Sequence, residues 1–210
     1  VPSSTIGYEK KRNWAFKFAN DEQGFIDYLL ADQPEPPRYF AMMKKLNKVN
    51  RPLLTEVPAL KQLSYDELAQ ALDSDIPVVD TRNKAVFAEG FIPGTLNIQG
   101  NNAFATWAGW FLQYDKPFIL IAEPETHDDL VRKLMRIGLD NIMGYVPNVQ
   151  IWEAHGKTLE KANLISLKEF EQALVNNNLQ GIDLRGETEY NSGHIKGANH
   201  VFTGTLDNNL

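Results

Sequence analysis

The sequence predicts an α/β protein, in which an open parallel sheet is flanked by helices and preceded by a helical segment. Three observations support this fold class. Apolar residues recur at helical spacing through about the first 60 residues, without the alternation of a strand. From Leu63 onward, short apolar runs alternate with amphipathic segments, which is typical of parallel strands connected by helices. The third observation is an internal repeat.

The helical segment, residues 1–60, contains two predicted helices. EQGFIDYLLA, residues 22–31, and PPRYFAMMKKLNK, residues 36–48, both carry apolar side chains at helical spacing. Prolines in QPEPPRYF (33–40) and RPLLTEVPAL (51–60) predict extended or turning connections. The segment shows no core of its own, so we expect its aromatic residues to pack against a neighbouring part of the protein. These residues are Trp14, Phe16, Phe18, Tyr39 and Phe40.

From Leu63, predicted helices and strands alternate. LSYDELAQAL is a predicted helix that begins with a capping box, because Ser64 is followed three residues later by Glu67. A short strand in IPVVDTR, a helical turn in AVFAEG and a returning strand in FIPGTLNI follow. FATWAGWFLQY is predicted as a helix with an apolar face, and KPFILIA as a buried parallel strand. THDDLVRKLMRIG, which ends at Gly138, is a predicted helix, and NIMGYV is the last predicted strand.

The internal repeat divides this α/β region into two copies of one domain. LSYDELAQAL resembles ISLKEFEQAL, and the following VVDTRNKAVFAEGFIPGTLNI matches GIDLRGETEYNSGHIKGANHV in one register. Seven pairs of like residues are each separated by 103 positions, the distance from Asp80 to Asp183. We therefore predict a complete first copy over residues 61–160 and the beginning of a second copy over residues 161–210. The pairs are Asp80 and Asp183, Arg82 and Arg185, Phe87 and Tyr190, Gly90 and Gly193, Ile92 and Ile195, Gly94 and Gly197, and Ile98 and Val201.

The repeated motif resembles that of the rhodanese family, in which D-x-R and an aromatic residue precede G-H-I-x-G-A-x-H/N. The second copy carries the motif almost fully in DLRGETEYNSGHIKGANHV, whereas the first copy has Phe91 where the family usually has His. The resemblance implies a rhodanese-like open parallel sheet. It also implies that His194 and His200 make structural hydrogen bonds.

Four charged residues and two glycines of the motif are candidate site residues. An Asp and an Arg at the carboxyl end of a strand can pair with each other or with nearby backbone. Such charge pairs are more often part of the scaffold than of the chemistry. Glycine in the turns permits backbone conformations that other residues avoid. The residues are Asp80, Arg82, Asp183 and Arg185, with Gly94 and Gly197 in the turns.

The resemblance places the reactive loop of the family directly after KPFILIA. In rhodaneses a nucleophilic cysteine follows the fourth strand, in a six-residue loop whose backbone N–H groups hold an anion or a persulfide. Here that position is Ala122, and the whole chain has no cysteine. The loop adds negative charge at two glutamates, and its proline removes one N–H group. The loop consists of Ala122, Glu123, Pro124, Glu125, Thr126 and His127.

The resemblance therefore implies a catalytically inactive first copy with no catalytic residue. His127 is expected to be solvated in this degenerate loop. The corresponding loop position of the second copy falls at about 225, beyond Leu210.

A second resemblance concerns the helical segment. VPSSTIGYEKKRNWAF and QPEPPRYFAMMKKLNK are similar to the tail of the metallo-β-lactamase domain in bacterial fusions of that domain with rhodanese domains. This implies a C-terminal fragment of such a fusion, in which a persulfide dioxygenase is coupled to a sulfurtransferase. A mononuclear iron (or zinc) is then expected in the metallo-β-lactamase part, and no cofactor on this chain. The implied substrate of the parent is thiosulfate or a low-molecular-weight persulfide. The implied partners are the metallo-β-lactamase domain and the second rhodanese domain of the same polypeptide.

Two other functions are left open by the sequence. The first is a scaffold or dimerisation module without enzymatic activity, so the chain could form a homo-oligomer through the aromatic residues of its helical segment. The second is a relative of the rhodanese-type phosphatases, but those enzymes need the cysteine and a longer loop than the one here.

Composition and charge weigh against several classes of partner. The net charge of −6 and the isoelectric point near 5.3 argue against nucleic acid and against an anionic membrane surface. No apolar run approaches the roughly 18 residues that span a bilayer, and no signal peptide is visible, so we expect a cytoplasmic protein. The four histidines show no metal-binding spacing, which predicts no metal site on this chain. They are His127, His155, His194 and His200.

Overall fold

The helical segment contains both predicted helices and two further short ones. The structure, a computed structural model, describes residues 3–31, 33, 36–51, 54–176 and 179–208. Residues 34–35 and 52–53 of the two predicted proline-rich connections lie outside the described residues. The helices are α1 (Ile6–Arg12), a 3₁₀ helix (Trp14–Phe18), α2 (Glu22–Leu30) and α3 (Tyr39–Leu46).

The aromatic residues of this segment divide into two groups. Trp14 lies 4.6 Å from Tyr28 between ring centroids, and Phe18 lies 5.3 Å from the same ring, so these residues pack with one another. Tyr39 packs against the core of the first copy, as predicted. In contrast, Trp14, Phe16 and Phe40 keep more than a third of their surface exposed. The expected packing against a neighbouring part of the protein is therefore found for Tyr39, and for the other four residues it stays a prediction.

The first copy forms a four-stranded parallel sheet in the order β2-β1-β3-β4. This confirms the predicted open parallel sheet. The main chain at Lys61–Leu63 extends the sheet beyond β4, because the Leu63 amide donates to the Tyr145 carbonyl at 2.8 Å. The elements are α4 (Tyr65–Asp73), β1 (Val78–Asp80), α5 (Lys84–Glu89), β2 (Leu96–Asn97), α6 (Phe104–Phe111), β3 (Phe118–Ile121), α7 (His127–Ile137), β4 (Ile142–Val146) and α8 (Gln150–Glu153).

Helices cover both faces of this sheet, so the central strand β3 is buried throughout. Its alternate side chains point to opposite faces. Phe118 and Leu120 join the core cluster of α6 and α7, whereas Ile119 and Ile121 join the cluster that contains Leu68 of α4. The apolar run KPFILIA therefore has the two-sided burial that its composition predicts.

The second copy repeats the first half of the first copy. Strands β5 (Ile182–Asp183) and β6 (Asn199–His200) pair in parallel, flanked by α9 (Leu167–Val175) and α10 (Glu187–Ser192). The pairing of Asp183 with His200 corresponds to that of Asp80 with Asn97, which are each 103 positions earlier. The predicted capping box at Ser64 also recurs, at Ser166. The two copies thus share local geometry as well as sequence.

Burial distinguishes the two copies. Ile182 of β5 is 45% exposed, although its counterpart Val79 in β1 is fully buried. The reason is that β3 and the helices around it cover β1, and the second copy has no counterpart of β3 among its described residues, 161–176 and 179–208. A 3₁₀ helix (Thr203–Asn208) follows β6 and contacts α6 of the first copy.

The helical segment docks on the first copy through α3. Gly109 of α6 faces Tyr39 so closely that a Cβ atom there would overlap the tyrosine ring. Gly138, the left-handed C-cap of α7 with φ of 75°, faces Leu46 in the same way. Two glycines therefore provide the space in which α3 approaches α6 and α7.

Candidate functional site

The loop after β3 begins with a residue that still belongs to the sheet. Ala122 is 3% exposed, and its amide donates to the Val146 carbonyl of β4 at 3.1 Å. The position at which the sequence predicts the family's nucleophile therefore holds a buried methyl group. Glu123 and Glu125, which follow it, are exposed to solvent.

The rest of the loop satisfies its own backbone groups. Residues Pro124–Thr126 form a 3₁₀ turn. The Thr126 amide donates to the Glu123 carbonyl at 2.9 Å, and the Thr126 hydroxyl donates to the same oxygen at 2.8 Å. The His127 amide donates to the Pro124 carbonyl. Since Pro124 has no N–H group, these bonds leave few donors of the turn to hold an anion.

His127 folds back over the loop and is only half-exposed. Its Nε2 atom lies 3.1 Å from the Ala122 carbonyl oxygen, so the Nε2–H tautomer donates a hydrogen bond there. Its ring meets Tyr145 edge-on at 3.9 Å between centroids, and the Tyr145 hydroxyl donates to Gln62 Oε1 at 3.3 Å. The expectation of a solvated His127 is therefore wrong, because β4 supplies an aromatic ring on which the imidazole packs.

Carboxylates surround the start of α7. Asp128 accepts from Arg132 at 2.8 Å and Asp129 pairs with Lys133 at 2.6 Å, so both acids bind cations four residues later on their own helix. The Asp128 hydrogen bond raises the pKa of Arg132. Negative charge at a helix N-terminus is favourable. This end of α7 is thus stabilised by its own acids rather than by a bound anion.

The Asp80–Arg82 pair lies at the end of β1 and braces the following turn. Asp80 is fully buried, and its carboxylate accepts from Arg82 Nε at 3.0 Å and from Arg82 Nη2 at 2.6 Å. The same Nη2 also donates to the Gly90 carbonyl at 2.8 Å. Asn97 of β2 donates to the Arg82 carbonyl at 2.9 Å. This bidentate pair therefore connects the end of β1 to the end of α5 and to β2.

The second copy reproduces this brace with small changes. Arg185 Nη2 donates to Asp183 at 2.6 Å and to the Gly193 carbonyl at 2.8 Å. The hydrogen bonds from Arg185 lower the pKa of Asp183 to about 2. His200 stands where the first copy has Asn97, and its Nε2 lies 2.7 Å from the Arg185 carbonyl oxygen. The brace thus survives replacement of an amide by an imidazole.

Phe91 keeps the packing of the histidine that it replaces in the motif. Its ring stacks on Phe87 with centroids 4.4 Å apart, as the His194 ring stacks on Tyr190 at 3.7 Å. His194 also places Nδ1 3.0 Å from the Tyr190 carbonyl oxygen, which a phenyl ring cannot do. The predicted turn glycines Gly94 and Gly197 both have left-handed φ values, 82° and 89°.

A family model decides how these features are related. The model of the rhodanese-like domain matches residues 64–153 and again residues 166–210. The chain belongs to the rhodanese-like family. Its first copy carries the parallel sheet and the brace, with Ala122 at the position where the sequence predicts the nucleophile.

Several solved structures are similar to this chain. A metallo-beta-lactamase from Staphylococcus aureus subsp. aureus COL is 36% identical, with a TM-score of 0.59. The match covers 70% of this chain and 40% of that protein, so this chain spans less than half of its length.

Two more distant structures also match. A rhodanese-like domain of an Anabaena protein is 17% identical, with a TM-score of 0.41, over 50% of this chain and 91% of its own. A thiosulfate sulfurtransferase from Pseudomonas aeruginosa is 17% identical, with a TM-score of 0.42, over 81% of this chain and 37% of its own. No curated protein gives a significant match.

The described part of the chain offers no site for the metal that is expected in a metallo-β-lactamase part. Among the described residues, no three His, Asp or Glu side chains come together as a metal site. His155, for example, stacks on Tyr65 at 3.9 Å and places Nδ1 2.8 Å from the Ile151 carbonyl oxygen. Within the same described ranges, no helix has the length and apolar character needed to cross a membrane.

Sequence reasoning missed Tyr145 and Gln62 as parts of the loop's surroundings. Tyr145 pairs in register with Leu120 of β3, and the backbone of Gln62 bridges to Tyr145. The signal was the adjacency of β3 and β4. Strands that follow one another through a single helix are commonly neighbours in a parallel sheet, which would have placed NIMGYV beside the loop.

Proposed function

We propose that this chain is the non-catalytic, linking part of a longer fusion protein for sulfide or persulfide metabolism. In this proposal, residues 1–60 are the helical tail of a metallo-β-lactamase domain and residues 61–160 a degenerate rhodanese-like domain. Residues 161–210 begin a second rhodanese-like domain. Ala122 carries the proposal for the first copy, and the 36% identity to a metallo-beta-lactamase supports the fusion.

Sulfur transfer of the rhodanese type requires a cysteine thiolate that attacks the outer sulfur of the donor. The cysteine becomes a persulfide, and the rest of the donor, sulfite when the donor is thiosulfate, leaves. The Ala122 methyl group cannot do this, and the chain contains no cysteine that could replace it. The loop also opposes an anionic substrate such as thiosulfate. Glu123 and Glu125 present negative charge, and the amides of Thr126 and His127 are bound to carbonyl groups of the turn. The negative charge of the loop, the engagement of its amides and the absence of a nucleophile thus all argue against catalysis here.

The linking role is supported by contacts on two sides of the first copy. On one side, α3 packs its Tyr39 against α6. Toward the second copy, the Ala162 amide donates to the Ala88 carbonyl at 2.9 Å, and the 3₁₀ helix after β6 contacts α6. A domain that has lost its chemistry but keeps contacts in both directions is suited to positioning its neighbours.

The parent protein is proposed to be a cytoplasmic persulfide dioxygenase coupled to a sulfurtransferase. Its mononuclear iron (or zinc) would be held by the metallo-β-lactamase part, because the residues described here do not form a metal site. Its substrate would be thiosulfate or a low-molecular-weight persulfide. Its domains in the same polypeptide would be the partners of this chain.

A sulfur-transfer assay with metal analysis tests the proposal. Purified protein of this sequence is incubated with thiosulfate and cyanide, and thiocyanate is measured against the reaction without protein. An active rhodanese under the same conditions serves as the control. We expect a rate equal to background and no stoichiometric iron or zinc by elemental mass spectrometry. Thiocyanate formation above background would overturn the non-catalytic assignment, and one tightly bound metal per chain would overturn the division of roles.

A scaffold or dimerisation module is the second candidate function. The observation that favours it is the exposure of large aromatic side chains in the helical segment, where Trp14, Phe16, Tyr28 and Phe40 each expose more than a third of their surface. Size-exclusion chromatography with light scattering distinguishes the two candidates. A dimer that dissociates in the Trp14→Ser variant supports the module, and a strict monomer at high protein concentration argues against it.

A further inference from the structure

A groove lies at the junction of α3, the connection after it and α7, away from the degenerate loop. Its volume is about 440 Å³, within the range of small-molecule sites. The loop adjoins the N-terminal end of α7, whereas the groove is lined by Arg132, Met135 and Arg136 from the C-terminal half of this helix. Three apolar residues, three arginines and Asn47 line the groove. The apolar residues are Leu46, Leu54 and Met135, and the cations are Arg51, Arg132 and Arg136.

The surface around the groove is basic in a protein that is acidic overall. Residues 36–55 contain five Lys or Arg and no Asp or Glu, although the whole chain has a net charge of −6. Lys44, Lys45 and Lys48 from this stretch are exposed. Together with the arginines of α7, they raise the local potential beside the groove.

The arginines differ in their partners. Arg51 pairs with Asp140, and Arg132 pairs with Asp128. Within the described ranges, no hydrogen bond or ion pair engages Arg136. A cation in the last turn of a helix is favoured by the helix dipole, which accounts for the position of Arg136. It does not account for Arg51, which comes from another element and converges on the same groove.

We infer that this groove binds a nucleotide-like organic phosphate. The guanidinium group binds phosphate through paired N–H donors, and Arg136 offers such donors without a competing carboxylate. Arg51 and Arg132 lie on the same groove and carry further N–H donors, although each is paired with a carboxylate. The flat base of the ligand would cover Leu46, Leu54 and Met135, whose side chains line the groove without polar groups. The inference is independent of the proposed function, because none of these residues belongs to the loop.

Isothermal titration calorimetry with adenosine diphosphate tests the inference on the 210-residue protein. We expect a dissociation constant of about 1 mM or tighter that weakens as salt is added. Adenosine and inorganic phosphate, which each offer half of the ligand, are expected to bind about tenfold more weakly or not at all. The Arg136→Gln variant is expected to lose about tenfold in affinity. Lys168→Gln, on the exposed face of α9, is the matched control and should bind like the parent protein.

Several results would overturn the inference. Absence of heat with adenosine diphosphate at millimolar concentration would remove the site. Equal affinity of Arg136→Gln and Lys168→Gln would show that binding is elsewhere. If inorganic phosphate binds with the same affinity as adenosine diphosphate, the apolar residues of the groove do not contribute. If adenosine binds with that affinity, the arginines do not contribute. Circular dichroism of Arg136→Gln separates a loss of binding from a loss of folding.

Discussion

The buried brace of the first copy predicts a large stability difference between two identical substitutions. Asp80→Asn removes one charge from a pair in which Asp80 is fully buried and the Arg82 side chain is 23% exposed. Breaking a buried ion pair costs about 3–5 kcal/mol, because the remaining charge loses its partner. Arg82 keeps part of its hydration and its bond to Gly90, so we expect the lower end, about 3 kcal/mol.

The second copy provides the matched control. Asp183→Asn changes the same motif, but there the Asp183 side chain is 11% exposed and the Arg185 side chain 46% exposed. Water screens this pair and can solvate the arginine that is left. We therefore expect a loss of stability that is only a small fraction of that for Asp80→Asn.

Urea unfolding measures both variants. Trp107, Trp110 and Trp152 all lie in the first copy, so their fluorescence follows its unfolding, whereas far-ultraviolet circular dichroism follows both copies. With a slope of about 1–3 kcal/mol per molar urea, the Asp80→Asn midpoint should fall by about 1–3 M. An unchanged midpoint, or equal shifts for the two variants, would refute the argument that burial makes the first brace important.

Three further outcomes follow from the loop, the second brace and the docking of α3. The Ala122→Cys variant should neither transfer sulfur to cyanide nor react rapidly with iodoacetamide. The reason is that residue 122 is only 3% exposed and that carboxylates surround the loop. Rapid turnover by this variant would contradict the prediction. Arg185 lowers the pKa of Asp183 from its ordinary value of 3.8 to about 2. The ion pair should therefore contribute fully to stability above pH 3.8, and this contribution should be lost as the pH falls through 2. NMR titration of the Asp183 carboxyl group measures this pKa, and a midpoint near the ordinary value would show that the pairing is absent. Gly109→Ala should displace Tyr39 and make the connection after α3 accessible to limited proteolysis. Gly7→Ala is the control, because Gly7 has open space around it and its substitution should leave the cleavage pattern unchanged. Identical cleavage patterns of the two variants would argue against close docking of α3.

Much of the fold could be predicted because the sequence contains an internal repeat of one domain. A fixed separation of 103 positions predicted that Asp80 and Asp183 would occupy equivalent sites, and both carboxylates receive the same arginine bonds. Local patterns such as the capping box at Ser64 depend on residues three apart, so they are visible in any sequence. Burial of β3 followed from its continuous apolar run.

The orientation of His127 could not be predicted in this way. It depends on Tyr145, which lies on a different strand and reaches the loop only once the order of the sheet is known. The docking of α3 was equally inaccessible, since Gly109 appears in sequence only as one small residue inside an apolar helix. Contacts between elements require the topology, whereas contacts within an element do not.

The backbone pairing at Phe91 and Ala88 shortens the effective tether between the two copies. Ala162 is held by its bond to Ala88, and Ser166 already caps α9, so only Asn163, Leu164 and Ile165 separate two fixed points. Three residues and their two flanking bonds reach about 10–14 Å when fully extended. Any site built on the second copy is thereby confined to a small volume beside the first, which corresponds to an effective concentration of about a millimolar or more.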